Sequence, residues 1–182
     1  TRKGPVGVIA LNEKLQQALN PISESKKEKQ YRGITFREGD KVMQIKNNYN
    51  IEWTSITVDE EGVGVFNGDI GYIEKIDAKN ETMTIRFEDK SVICDFLRLD
   101  EIEHAYAITV HKSQGSEFDA VIMPMYPVSP LLQSRNLLYT SITRAKELVV
   151  LVGRESELIT MTDNVYDKRR FSMLNARLRD GK

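Results

Sequence analysis

Two stretches of this chain concentrate residue types that handle phosphate. At residues 106 to 119 the order Tyr-Ala-Ile-Thr-Val-His-Lys-Ser-Gln-Gly-Ser-Glu-Phe-Asp reads as an apolar strand that breaks into a polar turn. Hydroxyls, a lysine and free backbone amides at a strand end suit a groove that tracks a phosphate backbone without reading bases, which makes Thr109, His111, Lys112 and Ser113 candidates for nucleic-acid contact. His111 has a second reading, a half-buried imidazole. Gly115 permits backbone conformations closed to other residues, and the carboxylate of Glu117 is a two-oxygen acceptor suited to a hydroxyl. Residues 139 to 146, Tyr-Thr-Ser-Ile-Thr-Arg-Ala-Lys, carry Arg144 directly after a hydroxyl residue. An arginine that reaches a transferring phosphoryl group from a second domain contributes on the order of 10³ to 10⁵ in rate. The plainer role for Arg144 is to cap a helix end or pair with Glu147.

Several elements have to position these residues. Leu11, Leu15 and Leu19 recur every four residues and predict an amphipathic helix that Asn20-Pro21 ends. Residues 22 to 32 are polar and of mixed charge, as in a surface loop. A turn at residues 37 to 41 leads into a short apolar strand at 42 to 45, which ends in Lys46-Asn-Asn-Tyr. From 62 to 100 the apolar period falls to two and turn signals recur. The spacing puts Ile70 and Tyr72, then Met83, Ile85 and Phe87, then Val92, Cys94 and Phe96 on one face, as in a small antiparallel barrel whose closure protects its edges.

After the barrel, the apolar runs at 107 to 110, 120 to 123 and 148 to 152 predict buried parallel strands. Ser129-Pro130 reads as a helix start. Leu131, Leu138, Ile142 and Ala145 would then line one helical face, and Thr140 and Arg144, four apart, another. Residues 163 to 179 are basic and compatible with a helix. Trp53, inside residues 50 to 62, is read as packing on its own hairpin, with stacking on a base as the alternative.

Composition narrows the function. The 182 residues suffice for one domain with an insertion or for two small ones, and a hydrophobic content of 40% supports a packed core. The 26 basic and 27 acidic residues leave a net charge of −1, so the chain does not coat polyanions indiscriminately and any nucleic-acid contact is local. Cys94 is the only cysteine, which rules out an internal disulfide and predicts a buried thiol suited to a reducing cytoplasm. With His104 and His111 the only histidines and no ligand spacing, no structural metal is expected. No Gly-x-x-x-x-Gly-Lys-[Ser/Thr] phosphate loop occurs, so the chain is expected to be inactive alone as a nucleotide hydrolase.

Taken together, the stretches around His111-Lys-Ser-Gln-Gly115 and Thr143-Arg144-Ala145 resemble motifs V and VI of superfamily 1 DNA helicases. They are most similar to the RecD/TraA type, which includes the exodeoxyribonuclease V alpha subunit, with the Pif1 type next. Residues 37 to 49 and 65 to 71 are similar to the same family, and residues 50 to 62 depart from its usual quick passage between those stretches.

The resemblance implies an α/β fold, a RecA-like (P-loop NTPase-type) second helicase domain made of residues 1 to 61 and 101 to 182, with an SH3-like β-barrel inserted at 62 to 100. It implies the catalytic finger at Arg144, nucleotide binding by Gln114, Gly115 and Glu117, and single-stranded DNA contact by Thr109, His111, Lys112, Ser113, Lys46 and Asn47. Gln114 lies between nucleotide and DNA, its role open. ATP and Mg²⁺ follow as cofactors whose main ligands belong to an amino-terminal motor domain of the same polypeptide. So do a 5′-to-3′ helicase of DNA recombination and repair in the cytoplasm, no membrane, and recombination nuclease subunits as further partners. The alternatives are a non-catalytic nucleic-acid-binding module centred on the barrel and a docking module of a nuclease complex.

Overall fold

A computed structural model describes residues 1 to 164, which divide into two compact units, one of residues 1 to 117 and one starting at Phe118. The basic segment expected to be helical at 163 to 179 lies almost wholly outside the described residues.

The first unit opens with helix α1 (Val8–Leu19), which ends where Asn20 leaves the helical conformation. Strands β1 (Glu28–Tyr31) and β2 (Ile34–Arg37) follow as an antiparallel hairpin. The region read as a loop therefore contains a strand. Its turn is Arg32-Gly33, both at positive φ (46° and 81°), the pair of conformations that a two-residue connection needs to match strand twist. Then come β3 (Lys41–Gln44), β4 (Asn48–Ser55), β5 (Glu61–Val65), β6 (Ile70–Asp77), β7 (Thr82–Phe87), β8 (Lys90–Asp95), a 3-10 turn at Phe96–Glu101, and β9 (Ile102–His104).

These last seven strands form one antiparallel sheet in the order β5-β4-β8-β7-β6-β3-β9. The sheet thus runs from Lys41 to His104, wider than the 62 to 100 that turn spacing suggests, because β3, β4 and β9 are short or polar and leave little alternation to read. Met83, Ile85, Phe87, Val92, Cys94 and Phe96 are all buried with Phe36, Val42, Val65 and Leu99 in its core. Burial pushes the Cys94 thiol up to about 12, so it stays protonated.

Strand β6 corrects the period-two reading. Gly71, Ile73 and Ile76 are buried, whereas Tyr72 is 44% exposed and Ile70 only half-buried. A bulge between Ile73 and Lys75 changes the register, so two core isoleucines stand three apart. Trp53 sits opposite Gly62 across β4 and β5, where a Cβ on residue 62 would lie 2.4 Å from the indole. The ring packs on its own hairpin, with the Lys90 ammonium 4.7 Å from its centre.

The second unit contains β10 (Phe118–Met125), a 3-10 turn at Pro130–Leu132, α2 (Arg135–Ile142), β11 (Ala145–Gly153) and α3 (Glu155–Asp163). Strands β10 and β11 pair in parallel, as expected for 120 to 123 and 148 to 152. They are not buried on both faces. Met125 packs with Leu138 and Met161 from the helices, along with Met123 and Leu151, while Ile122, Leu148, Val150 and Val152 on the other face are 71%, 54%, 36% and 56% exposed. The α-helix begins at Ser134, whose hydroxyl accepts from the Leu137 amide, not at Ser129. Pro130 instead opens the short 3-10 turn before it.

Candidate functional site

The polar turn after β9 is anchored to the backbone of β3 and to a side chain of α1. Ala105 N–H donates to the Lys41 carbonyl at 2.8 Å and closes the strand pairing. Beyond it, Ala107 finds no neighbouring strand. Its N–H donates to Asn12 Oδ1 at 2.8 Å and its carbonyl accepts from Asn12 Nδ2 at 3.0 Å. One side-chain amide thus takes the place of a strand partner, and residues 107 to 110 form no strand despite their apolar run.

A succession of tight turns follows. Ser113 N–H donates to the Thr109 and Val110 carbonyls at 3.1 and 3.2 Å, Lys112 N–H to Thr109 Oγ1 at 3.3 Å, and Ser116 N–H to the Ser113 carbonyl at 3.1 Å. The buried Ser113 hydroxyl donates to the Val110 carbonyl at 2.7 Å, so this hydroxyl serves the turn itself. His111, Gln114, Gly115 and Glu117 are exposed. Gly115 has φ +87°, and a Cβ built there would meet nothing within 4 Å. The glycine is needed for its backbone angle and leaves an open surface that another molecule can approach closely. Lys112 is half-buried, and its ammonium lies 2.8 Å from Glu103 Oε2.

Beneath the turn is a buried polar cluster that sequence reading missed. Asp40 is completely buried and accepts from Gln16 Nε2 at 2.6 Å, Asn20 Nδ2 at 2.7 Å, the Arg37 N–H at 2.7 Å and the Tyr106 hydroxyl at 3.0 Å. His104 Nε2 is 3.0 Å from the same carboxylate. Burial opposes the charge, but the hydrogen bonds from His104 and Asn20 outweigh it and hold the carboxyl below its ordinary range. Burial, and after it the Asp40 charge, pushes the Tyr106 hydroxyl up to about 12. The buried stripe of α1 is therefore Asn12 and Gln16, continued by Asn20 just past its end, one position on from the leucines, and Leu19 is 68% exposed. The available signal was three amides at four-residue spacing.

Lys46 and Asn47 lie at the other end of β3. Lys46 is exposed and ion-paired with Asp100, whose hydrogen bond raises its pKa. Asn47 Oδ1 accepts from the Asn67 N–H at 2.9 Å and its amide donates to the Tyr49 hydroxyl at 3.2 Å, while Tyr49 and Phe66 meet edge to face at 5.6 Å. The two stretches at 46 to 49 and 65 to 68 are thereby joined.

In the second unit, α2 stops at Ile142 and Thr143 caps it. Arg144 follows the helix, so it does not share a helical face with Thr140. Its N–H donates to the Ser141 carbonyl at 3.2 Å and its carbonyl accepts from the Phe118 N–H at 2.8 Å, which fixes it where β10 begins. The side chain is partly buried. Among the described residues no group of three or more His, Cys, Asp or Glu could hold a metal ion. Nor is any helix among them long and apolar enough to cross a membrane.

Comparison with known proteins matches residues 11 to 87 to the ATP-dependent RecD-like DNA helicase SH3 domain and residues 104 to 152 to the UvrD-like helicase C-terminal domain. The ATP-dependent RecD2 DNA helicase of Deinococcus radiodurans is 34% identical over 161 residues, covering 85% of this chain and 19% of the relative. The RecBCD enzyme subunit RecD of Mycolicibacterium smegmatis is 35% identical over 103 residues, 57% of this chain and 18% of the subunit. The chain thus spans about a fifth of these relatives. Among solved structures, Pif1 helicase from Bacteroides in complex with ADP-AlF3 and single-stranded DNA aligns over 100% of this chain and 48% of its own. Its TM-score is 0.55 at 18% identity, a likeness of fold.

Proposed function

Because the chain belongs with the RecD-like helicases of superfamily 1, carrying their SH3 domain and a UvrD-like C-terminal domain, we propose that it is the carboxy-terminal part of an ATP-dependent 5′-to-3′ DNA helicase of recombination and repair. In this reading the turn from Thr109 to Ser113, with Lys46 and Asn47, forms part of a groove for single-stranded DNA. Gln114, Gly115 and Glu117 face the nucleotide, and Arg144 is the finger that stabilises charge on the transferring phosphoryl group. ATP supplies that group, and its Mg²⁺ and phosphate-loop contacts belong to an amino-terminal motor domain of the same polypeptide. Recombination nuclease subunits are further partners, and the cytoplasm is the setting.

The observation that carries the reading is the exposed turn at Gly115, whose positive φ serves no packing and leaves backbone and the Glu117 carboxylate open to a ligand. The test is ATP hydrolysis by the full polypeptide, with and without a single-stranded oligonucleotide. Arg144→Ala is expected to lower stimulated turnover by on the order of 10³ or more while ATP still binds. Turnover indifferent to Arg144 would overturn the finger role. No hydrolysis by the native polypeptide would favour a non-catalytic binding or docking module instead.

A further inference from the structure

Lys112 does not wait for DNA unpaired. Glu103, on the edge strand β9, holds two cations with its two oxygens: Oε2 is 2.8 Å from Lys112 Nζ and Oε1 is 2.7 Å from an Arg2 guanidinium nitrogen. The Glu103 and Lys112 side chains are each 26% exposed, so both stay within reach of solvent and of a second anion. Partial burial works against the Glu103 charge, but Lys112 and Arg2 outweigh it and hold the carboxyl below its ordinary range, so it is ionised at neutral pH. The cavity beside this trio, lined by Met43, His104 and Thr109 among others, measures about 10 Å³. That is room for one water at most, so the trio encloses no ligand of its own.

We propose that Glu103 is a release residue for DNA, a carboxylate that positions Lys112 and competes with DNA phosphate for its ammonium. The inference rests on the reading that Lys112 contacts DNA. A phosphate arriving at Lys112 must share or displace a carboxylate already in contact, and once there it sits beside a like charge. The grip is weakened at a place where a translocating protein has to let go at every step.

Equilibrium binding of a fluorescent single-stranded oligonucleotide to the full polypeptide, across a salt series, tests this. Lys112→Ala is expected to weaken binding and to lower the slope of log affinity against log salt by about 0.7, the share of one phosphate contact on a single strand. Glu103→Gln is expected to tighten binding about two- to five-fold at low salt, the worth of a part-exposed ion pair. In the Lys112→Ala background the same change should give no gain. Glu103→Asp keeps the charge but withdraws it by one methylene, and should tighten binding partway; it also answers the question if Glu103→Gln lowers the melting temperature severely.

Unchanged or weaker binding by folded Glu103→Gln and Glu103→Asp would overturn the proposal while leaving Lys112 a DNA contact. A gain that persists without Lys112 would also overturn it, since removal of one negative charge would then be the whole effect. A Lys112→Ala variant with native affinity and slope would remove the DNA reading of the turn, and the release role with it.

Discussion

The two units treat their apolar strands in opposite ways. In the first, the seven-stranded antiparallel sheet wraps one continuous core, from Phe36 and Val42 to Met83, Ile85 and Leu99, with each of these residues at most 1% exposed. In the second, two parallel strands bury Met125 against α2 and α3 but leave Ile122, Leu148, Val150 and Val152 between 36% and 71% exposed. A two-stranded sheet is marginal alone. Candidate DNA contacts sit on the unit with the larger continuous core, whereas the candidate finger directly precedes β11 of the two-stranded sheet. The contrast is between a platform with a packed core and a sheet with one face exposed.

The largest effect should come from the buried polar cluster. Asp40→Ala strands Gln16, Asn20, His104 and Tyr106 without their acceptor and should cost the first unit about 3 to 5 kcal/mol. Chemical denaturation followed by Trp53 fluorescence reads this directly, since the only tryptophan lies in that sheet. A loss below about 1 kcal/mol would mean the cluster contributes little to the stability of the first unit. The pH dependence follows in sign. Asp40 has its folded pKa lowered, so its contribution is present above the ordinary carboxylate pKa and disappears as pH falls through the folded value. Asp40→Asn should flatten that part of the acid limb.

A smaller effect sharpens the comparison between units. Ile85→Val, within the first core, should cost about 0.5 to 1.5 kcal/mol. Ile122→Val removes the same methylene from the uncovered face and should stay within about 0.5 kcal/mol. Equal costs would show that the second face is covered in the full polypeptide, and would erase the difference.

Much of this was legible in the sequence, and the failures share a cause. Periodicity located α1 and most strands of the first sheet because burial repeats with the backbone. It chose the leucine face of α1 because apolar residues normally mark the core, whereas the buried carboxylate of Asp40 takes donors from Gln16 and Asn20, and the backbone of Ala107 takes the amide of Asn12. It read residues 107 to 110 as a strand because an apolar run says nothing about where its backbone hydrogen bonds go, and here Asn12 takes them. The β6 bulge and the early end of α2 are local events that a fixed period cannot represent. The residue types of the candidate site were visible throughout. The pairing of Lys112 with Glu103 was not, since nine residues of sequence hide a contact that the β9 edge creates.

The most direct test of the central claim measures single-stranded DNA binding and DNA-stimulated ATP hydrolysis on the same samples of the full polypeptide, comparing Lys112→Ala with Arg144→Ala. A crossed result is expected: Lys112→Ala raises the DNA concentration needed for half-maximal stimulation with little change in saturated turnover, and Arg144→Ala abolishes turnover at native DNA affinity. Two variants that lose both properties together, or neither, would contradict the division of labour between the platform and the finger.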